Sequence, residues 1–261
     1  MSNDNSNWEI VANYDYRFLG MLAQAKHNGE QSPPFMLRLA PIIAQLKPHE
    51  IAACLDEANG IIPSDLEGNI EAARMRVLEQ TDWKNKVVLD IGGYDGFAAK
   101  IAVDGGASRA VCLDNHQYEH YGWEDKKKEG VEYIQGDFMS FFNIPDMVAY
   151  NMVDIIINYN VLYHVKNPWA FLDRCREVIK SDGEMLLCTL FRYHNEPWVY
   201  LYEPRECNPS DDTVYWGFSL KALERILKAT GWDYTLEGWA ADRVVYRCKP
   251  TPGFTRTHED T

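Results

Sequence analysis

Three acids each close or follow a short apolar run: Asp90 in Val87-Val88-Leu89-Asp90-Ile91, Asp114 at the end of Ala110–Asp114, and Asp137 just after Val131–Gln135. The first is followed by Gly92-Gly93-Tyr94-Asp95-Gly96-Phe97, so an apolar strand delivers an acid, then a glycine bend, then a helical stretch. Gly92 and Gly96 have no Cβ to collide with a ligand or to forbid a sharp turn, and such a bend at a strand end is a binding element. A pyrophosphate site would carry G-x-G-x-x-G here. The spacing is instead D-x-G-x-x-x-G, with an acid that would repel phosphate. That acid suits a nucleoside whose near end bears an ammonium and a sulfonium. Asp114, about twenty residues beyond the bend, stands where a carboxylate accepts from both ribose hydroxyls. Asp137 is placed to accept from an adenine amino group while Phe138 packs on the ring. The alternative for Asp114 in Leu113-Asp114-Asn115 is a turn starter, and for the glycines a structural turn.

These residues need a sheet to bring them to one edge. From Lys84 onward, strand-like runs (Val87–Ile91, Ala110–Asp114, Val131–Gln135, Val153–Asn158, Glu184–Leu190, Trp232–Gly238, Val244–Cys248) alternate with stretches of helical spacing. Phe171/Leu172/Cys175/Val178/Ile179 and Leu220/Leu223/Ile226/Leu227 are two of these stripes, read as core contacts. The alternation predicts an α/β, Rossmann-like fold with a seven-stranded sheet. The last two strands are joined by a short turn, and a parallel crossover needs a dozen or more residues, so the sheet ends in an antiparallel hairpin. The expected organisation is an N-terminal helical segment over 1–80, the Rossmann-like domain over 81–249 and a frayed Pro/Thr-rich tail over 250–261. Tyr193–Trp216, rich in aromatic residues and long for a structureless loop, reads as a lid or as packing against the N-terminal helices.

Composition narrows the partners. A formal charge of -13 over 261 residues disfavours nucleic acid. The one basic run, Lys126-Lys127-Lys128, is flanked by Glu124, Asp125 and Glu129 and reads as a solvated helix end. Six scattered cysteines without C-x-x-C or nearby His point to reduced thiols and no metal site. The start MSNDNSNWEI is polar and acidic, and no apolar run reaches the ~18 residues of a membrane span, so a cytoplasmic chain is expected.

Further stretches carry a resemblance: Val161-Leu162-Tyr163-His164 with Asn167-Pro168, Val178-Ile179-Lys180-Ser181-Asp182-Gly183-Glu184, and Val214-Tyr215-Trp216 followed by Ser219-Leu220-Lys221-Ala222-Leu223 and Gly231-Trp232. With the glycine bend, these resemble class I S-adenosylmethionine (SAM) methyltransferases over roughly 66–248, in the branch of the tRNA wobble-uridine carboxymethyltransferases. Tyr94 departs from the general motif, which has glycine there, and no basic N-terminal stretch of the tRNA enzymes is found. The resemblance implies SAM as cofactor, with Asp90, Gly92, Gly93 and Gly96 at the methionine part, Asp114 and Asn115 at the ribose, and Asp137 and Phe138 at the adenine. Asn158 and Asn160 complete the cofactor set, and Asn160 to His164 line the transfer site. His164 is the candidate base, since imidazole titrates near neutrality, and Tyr163 the group that orients the acceptor. A loop-fixing role for His164 stands beside that reading. Three functions follow: methyl transfer to an O or N atom of a small molecule, tRNA wobble-uridine modification, or a non-catalytic SAM-binding module. A nicotinamide enzyme is the fourth.

Overall fold

The computed structural model describes residues 70–115, 127–140, 151–192, 194, 196–208, 210–240 and 243–254. Most of the expected N-terminal helical segment, Lys126 and the end of the tail lie outside these residues.

Strands that are apolar on both faces belong in the middle of a covered parallel sheet. Accordingly β1 (Val87–Ile91) and β4 (Val153–Tyr159), nearly all buried, lie at the centre. β2 (Arg109–Asp114), β3 (Glu132–Gln135) and β5 (Ile179–Leu190) extend the sheet on either side. β8 (Trp232–Ala240) and β9 (Arg243–Pro250) complete the order β3-β2-β1-β4-β5-β9-β8. The pairs from β3 to β5 are parallel, while β9 runs antiparallel to both β5 and β8. The seven strands and the antiparallel ending are those the sequence predicts. One boundary moves: β5 starts at Ile179 rather than Glu184, because Val153 pairs with Ile179 and Ile155 with Glu184 across a register shift. Gly183 makes the shift feasible, since a Cβ there would lie 2.6 Å from the Asp154 carbonyl oxygen.

Helices cover both faces. On one, α1 (Ile70–Glu79) and α2 (Phe97–Asp104) set Ala73, Val77, Leu78, Ala99 and Ala102 against Val88, Cys112, Ile155 and Ile157. On the other, α3 (Pro168–Val178) and α4 (Leu220–Ala229) set Phe171, Leu172, Leu223 and Leu227 against Leu89, Ile156, Leu187 and Tyr246. Sequence dictates both helix starts. Asn167 accepts from the Ala170 N–H with Pro168 at the first helical position, and Ser219 accepts from the Ala222 N–H.

The described part of the segment 193–216 carries structure of its own. Its Val199–Leu201 strand (β6) pairs antiparallel with Trp216–Phe218 (β7). Trp198, Tyr200 and Tyr202 lean on one another at centroid spacings of 5.3 and 4.7 Å, so much of its aromatic surface is used within the insertion. The insertion docks on the loop after β4: Tyr215 N–H donates to the Tyr163 carbonyl (2.9 Å) and Trp216 Nε1 to that of Val165 (2.9 Å).

Candidate functional site

Strand order reverses between β1 and β4, and in open α/β sheets ligands occupy the crevice at that point beyond the carboxyl ends. A cavity of about 1260 Å³ lies there, above the usual ~300–1,000 Å³ of a single-ligand pocket. Its size allows for two ligands side by side.

The bend between β1 and α2 forms one wall. A Cβ on Gly92 would lie 2.4 Å from Val161 Cγ2, one on Gly93 2.5 Å from Asp90 Oδ2, and one on Gly96 2.4 Å from the Tyr133 hydroxyl. Each glycine therefore lets backbone sit against a neighbouring wall. Gly92 and Gly96 also have left-handed backbones, at φ 65° and 73°. Tyr94 at φ 51° does too, at a strain cost of about 1–2 kcal/mol for a residue with a Cβ.

Two of the acids are buried and one is exposed. Asp90 is buried, with Oδ2 accepting from the Ala99 N–H of α2 (3.2 Å). Burial pushes its carboxyl up to about 7; the Ala99 hydrogen bond and the Arg74 charge oppose the rise, while the Asp114 charge adds to it. Asp114 is also buried and accepts from the Tyr94 N–H (3.0 Å), which ties the glycine bend to the end of β2. Asp137 is exposed and accepts from the Met139 N–H and the Ser140 hydroxyl. Phe138 packs edge-on against Phe171 at 5.3 Å and reaches the cavity from the core.

Of the residues singled out in the sequence, Asp90, Gly92, Gly93, Asp114, Asn115, Asp137, Phe138, Asn160 and His164 line this cavity together. Gly96, Asn158 and Tyr163 do not. Gly96 is turned to Tyr133, and Asn158 is fully buried in β4. Tyr163 is buried with its hydroxyl 3.3 Å from Arg243 Nη2 and its ring 4.2 Å from the His164 ring. Arg243 also donates to Asn160 Oδ1 (3.1 Å), holding that residue at φ 63°.

Sequence reading missed the wall supplied by α1. Arg74 lies over the Tyr159 ring (4.8 Å), pairs with Glu71 (2.8 Å), and keeps a buried Nε with no hydrogen-bond partner among the described residues. Buried donors left unmade are costly. A guanidinium N–H orphaned beside a cavity is suited to a ligand carboxylate, and the glycine cradle leaves room for a ligand backbone. Only the fold brings Arg74 to Asp90, so no local spacing marks it.

His164 is held by the insertion. Nδ1 is 3.0 Å from the Thr213 carbonyl oxygen and 3.0 Å from Thr213 Oγ1, whose own proton goes to Asp211 Oδ1 (2.6 Å). Both partners of Nδ1 are then acceptors, so in the neutral ring the proton sits on Nδ1. The lone pair is on Nε2, 3.9 Å from Asp211 Oδ2. Asp211 and Thr213 gave no signal in the sequence.

Residues 64–237 match the methyltransferase-domain family. The chain belongs to it. This methyltransferase is 29% identical over 174 residues to a tRNA U34 carboxymethyltransferase of Cronobacter sakazakii, covering 65% of the chain and 52% of the relative. It thus spans about half the length of that curated relative. Among solved structures, the DhpI–SAH complex aligns with TM-score 0.54 at 19% identity, over 70% of this chain and 85% of that one. The 1,6-didemethyltoxoflavin-N1-methyltransferase of Burkholderia thailandensis aligns with TM-score 0.52 at 18% identity, over 79% and 91%. These likenesses confirm the Rossmann-like methyltransferase fold. The residues present are of kinds that fit SAM: the orphaned Arg74 Nε suits a carboxylate, the glycine cradle leaves room for ligand backbone, and the acids suit an ammonium and ribose hydroxyls. Among the described residues no helix is long and apolar enough to cross a membrane.

Proposed function

We propose that the chain transfers the methyl group of SAM to an oxygen or nitrogen of a small-molecule acceptor, with His164 taking the acceptor's proton. The carrying observation is the placing of His164: Nδ1 lies 3.0 Å from the Thr213 carbonyl oxygen, which favours a proton there and a free lone pair on Nε2, and the ring lines the same cavity as Asp90 and Asp114. SAM supplies an electrophilic methyl on a leaving sulfur. The protein's part is to hold the acceptor lone pair in line with that bond. Once His164 is protonated, Asp211 stabilises the imidazolium. Tyr163 leans on the imidazole at a tilt of 44° and supports the orientation that Thr213 gives it.

The walls nearest His164 favour a small acceptor over a polynucleotide. Asp211, Asp212, Asn208 and Ser210 line the cavity there, and Asp211 and Asp212 oppose phosphates. The relative's name makes tRNA the natural second substrate to try. The decisive assay offers methyl-labelled SAM with cell extract split into small-molecule and RNA fractions. Label is expected in the small-molecule fraction. Label in RNA alone, or SAM binding with no transfer to either fraction, rejects the proposal. Once an acceptor is in hand, His164→Gln is expected to lower turnover about a hundredfold while SAM affinity stays within about twofold. An unchanged turnover number would return His164 to a loop-fixing role.

A further inference from the structure

Among the large side chains of the glycine bend, one stands out by its backbone. Tyr94 adopts a left-handed conformation (φ 51°) that glycine holds at no cost, and Gly92 and Gly96 take that option on either side of it. The tie between its N–H and Asp114 Oδ2 explains the backbone shape but not the side chain, since glycine would make the same hydrogen bond. At Gly92, Gly93 and Gly96 a Cβ would run into Val161, Asp90 or Tyr133; at residue 94 a whole phenol ring is accommodated. Tyr94 is 46% exposed, unlike most aromatic groups of the sheet core, and lines the same cavity as Asp90 and Asp114. A strained non-glycine backbone at a ligand cradle calls for a reason in the ligand.

We propose that Tyr94 is a donor-contacting residue whose ring lies against the sulfonium end of SAM and makes the pocket prefer the charged donor to its neutral demethylated product. This rests on the SAM pocket described above. An aromatic face attracts a cation, and a sulfonium, which has no N–H or O–H to donate, can be met by a π-face. After transfer the sulfur is an uncharged thioether and the attraction is gone. The ring therefore adds to donor capture and eases release of the product. The Asp90 and Asp114 carboxylates hold parts of the ligand common to donor and product, the ammonium and the ribose, so they do not by themselves provide this discrimination at the sulfur.

The test is a calorimetric titration of the full chain with SAM and with S-adenosylhomocysteine, read as the ratio of the two dissociation constants. Tyr94→Phe keeps the ring and is expected to leave the ratio within about twofold of wild type. Tyr94→Leu keeps an apolar side chain without the π-face, and is expected to cut the preference for SAM by about fivefold, within the range of cation–π contacts. Tyr94→Gly secures the folding control: it suits the left-handed backbone, should melt no lower than wild type, and should lose the preference to the same degree as Tyr94→Leu. A ratio unchanged in both Tyr94→Leu and Tyr94→Gly overturns the proposal, as does an equal weakening of both ligands, which marks a contact of shape alone. A wild-type chain that binds neither ligand removes the pocket assignment itself.

Discussion

Asp114→Ala is expected to weaken SAM and S-adenosylhomocysteine alike by on the order of a thousandfold. The carboxylate closes β2 at the cavity, is buried, and already holds the Tyr94 N–H. Two further hydrogen bonds from ribose hydroxyls to a buried carboxylate are worth about 1.5–3 kcal/mol each. Alanine removes these and also leaves the Tyr94 N–H unpaired, so the bend loses its tie to β2. Asp114→Asn keeps an acceptor for Tyr94 and should recover part of the loss. The ribose is common to donor and product, so the two affinities must fall together, in contrast to the expected behaviour at Tyr94. Titration of both ligands decides: if the alanine variant binds them within about threefold of wild type, the ribose assignment fails.

The donor half of the site was legible because its signals are local. An acid, a bend and a helix start lie within eight residues from Asp90 to Phe97, and each fixes the next: Gly93 leaves space for the Asp90 carboxylate, which in turn accepts from Ala99 in α2. The strand runs were legible for a similar reason, since a sheet covered on both faces needs continuous apolar segments. The acceptor half was not. His164 could be singled out from the loop after β4, but its partners Asp211 and Thr213 come from an insertion almost fifty residues later, and nothing in Asp211-Asp212-Thr213 distinguishes them from an ordinary polar turn. Arg74 was hidden in the same way. A helix stripe read for its apolar face, Ala73, Val77 and Leu78, says nothing of which polar residue the packing will turn toward β1. Asn158 and Tyr163 illustrate the converse. They sit at informative positions in the sequence, but strand alternation sends Asn158 into the core, and the hydroxyl of Tyr163 is within reach of Arg243 behind the wall. Local motifs locate a site; side-chain direction within it depends on the pleat and on distant partners.

The Asp90 carboxyl should make both folding and cofactor binding depend on pH, in opposite senses. Its value in the folded chain without ligand is about 7 against an ordinary 3.8, and desolvation is the main cause. Below about 4 the group is neutral in folded and unfolded chains and costs nothing. As pH rises toward 7 the unfolded chain ionises first, so the folded state loses stability progressively, and above 7 the full penalty is present and constant. At ~1.4 kcal/mol for each tenfold step, the penalty has a ceiling on the order of 4 kcal/mol. Asp90→Asn, neutral throughout and still able to accept from Ala99, should therefore melt like wild type near pH 4 and well above it at pH 8. Binding carries the reverse sign. An ionised Asp90 facing the ligand's ammonium is favoured over the protonated form, so the wild-type chain must release a proton to bind SAM below pH 7. Its affinity should rise by up to about tenfold per pH unit until about pH 7 and then level off. The Asp90→Asn variant should bind more weakly at pH 8 and show no such slope. Melting curves at the two pH values and SAM titrations across the range test both halves. A wild-type affinity that stays flat from pH 5.5 to 8 would mean that Asp90 keeps one protonation state through binding and serves the bend rather than the ligand.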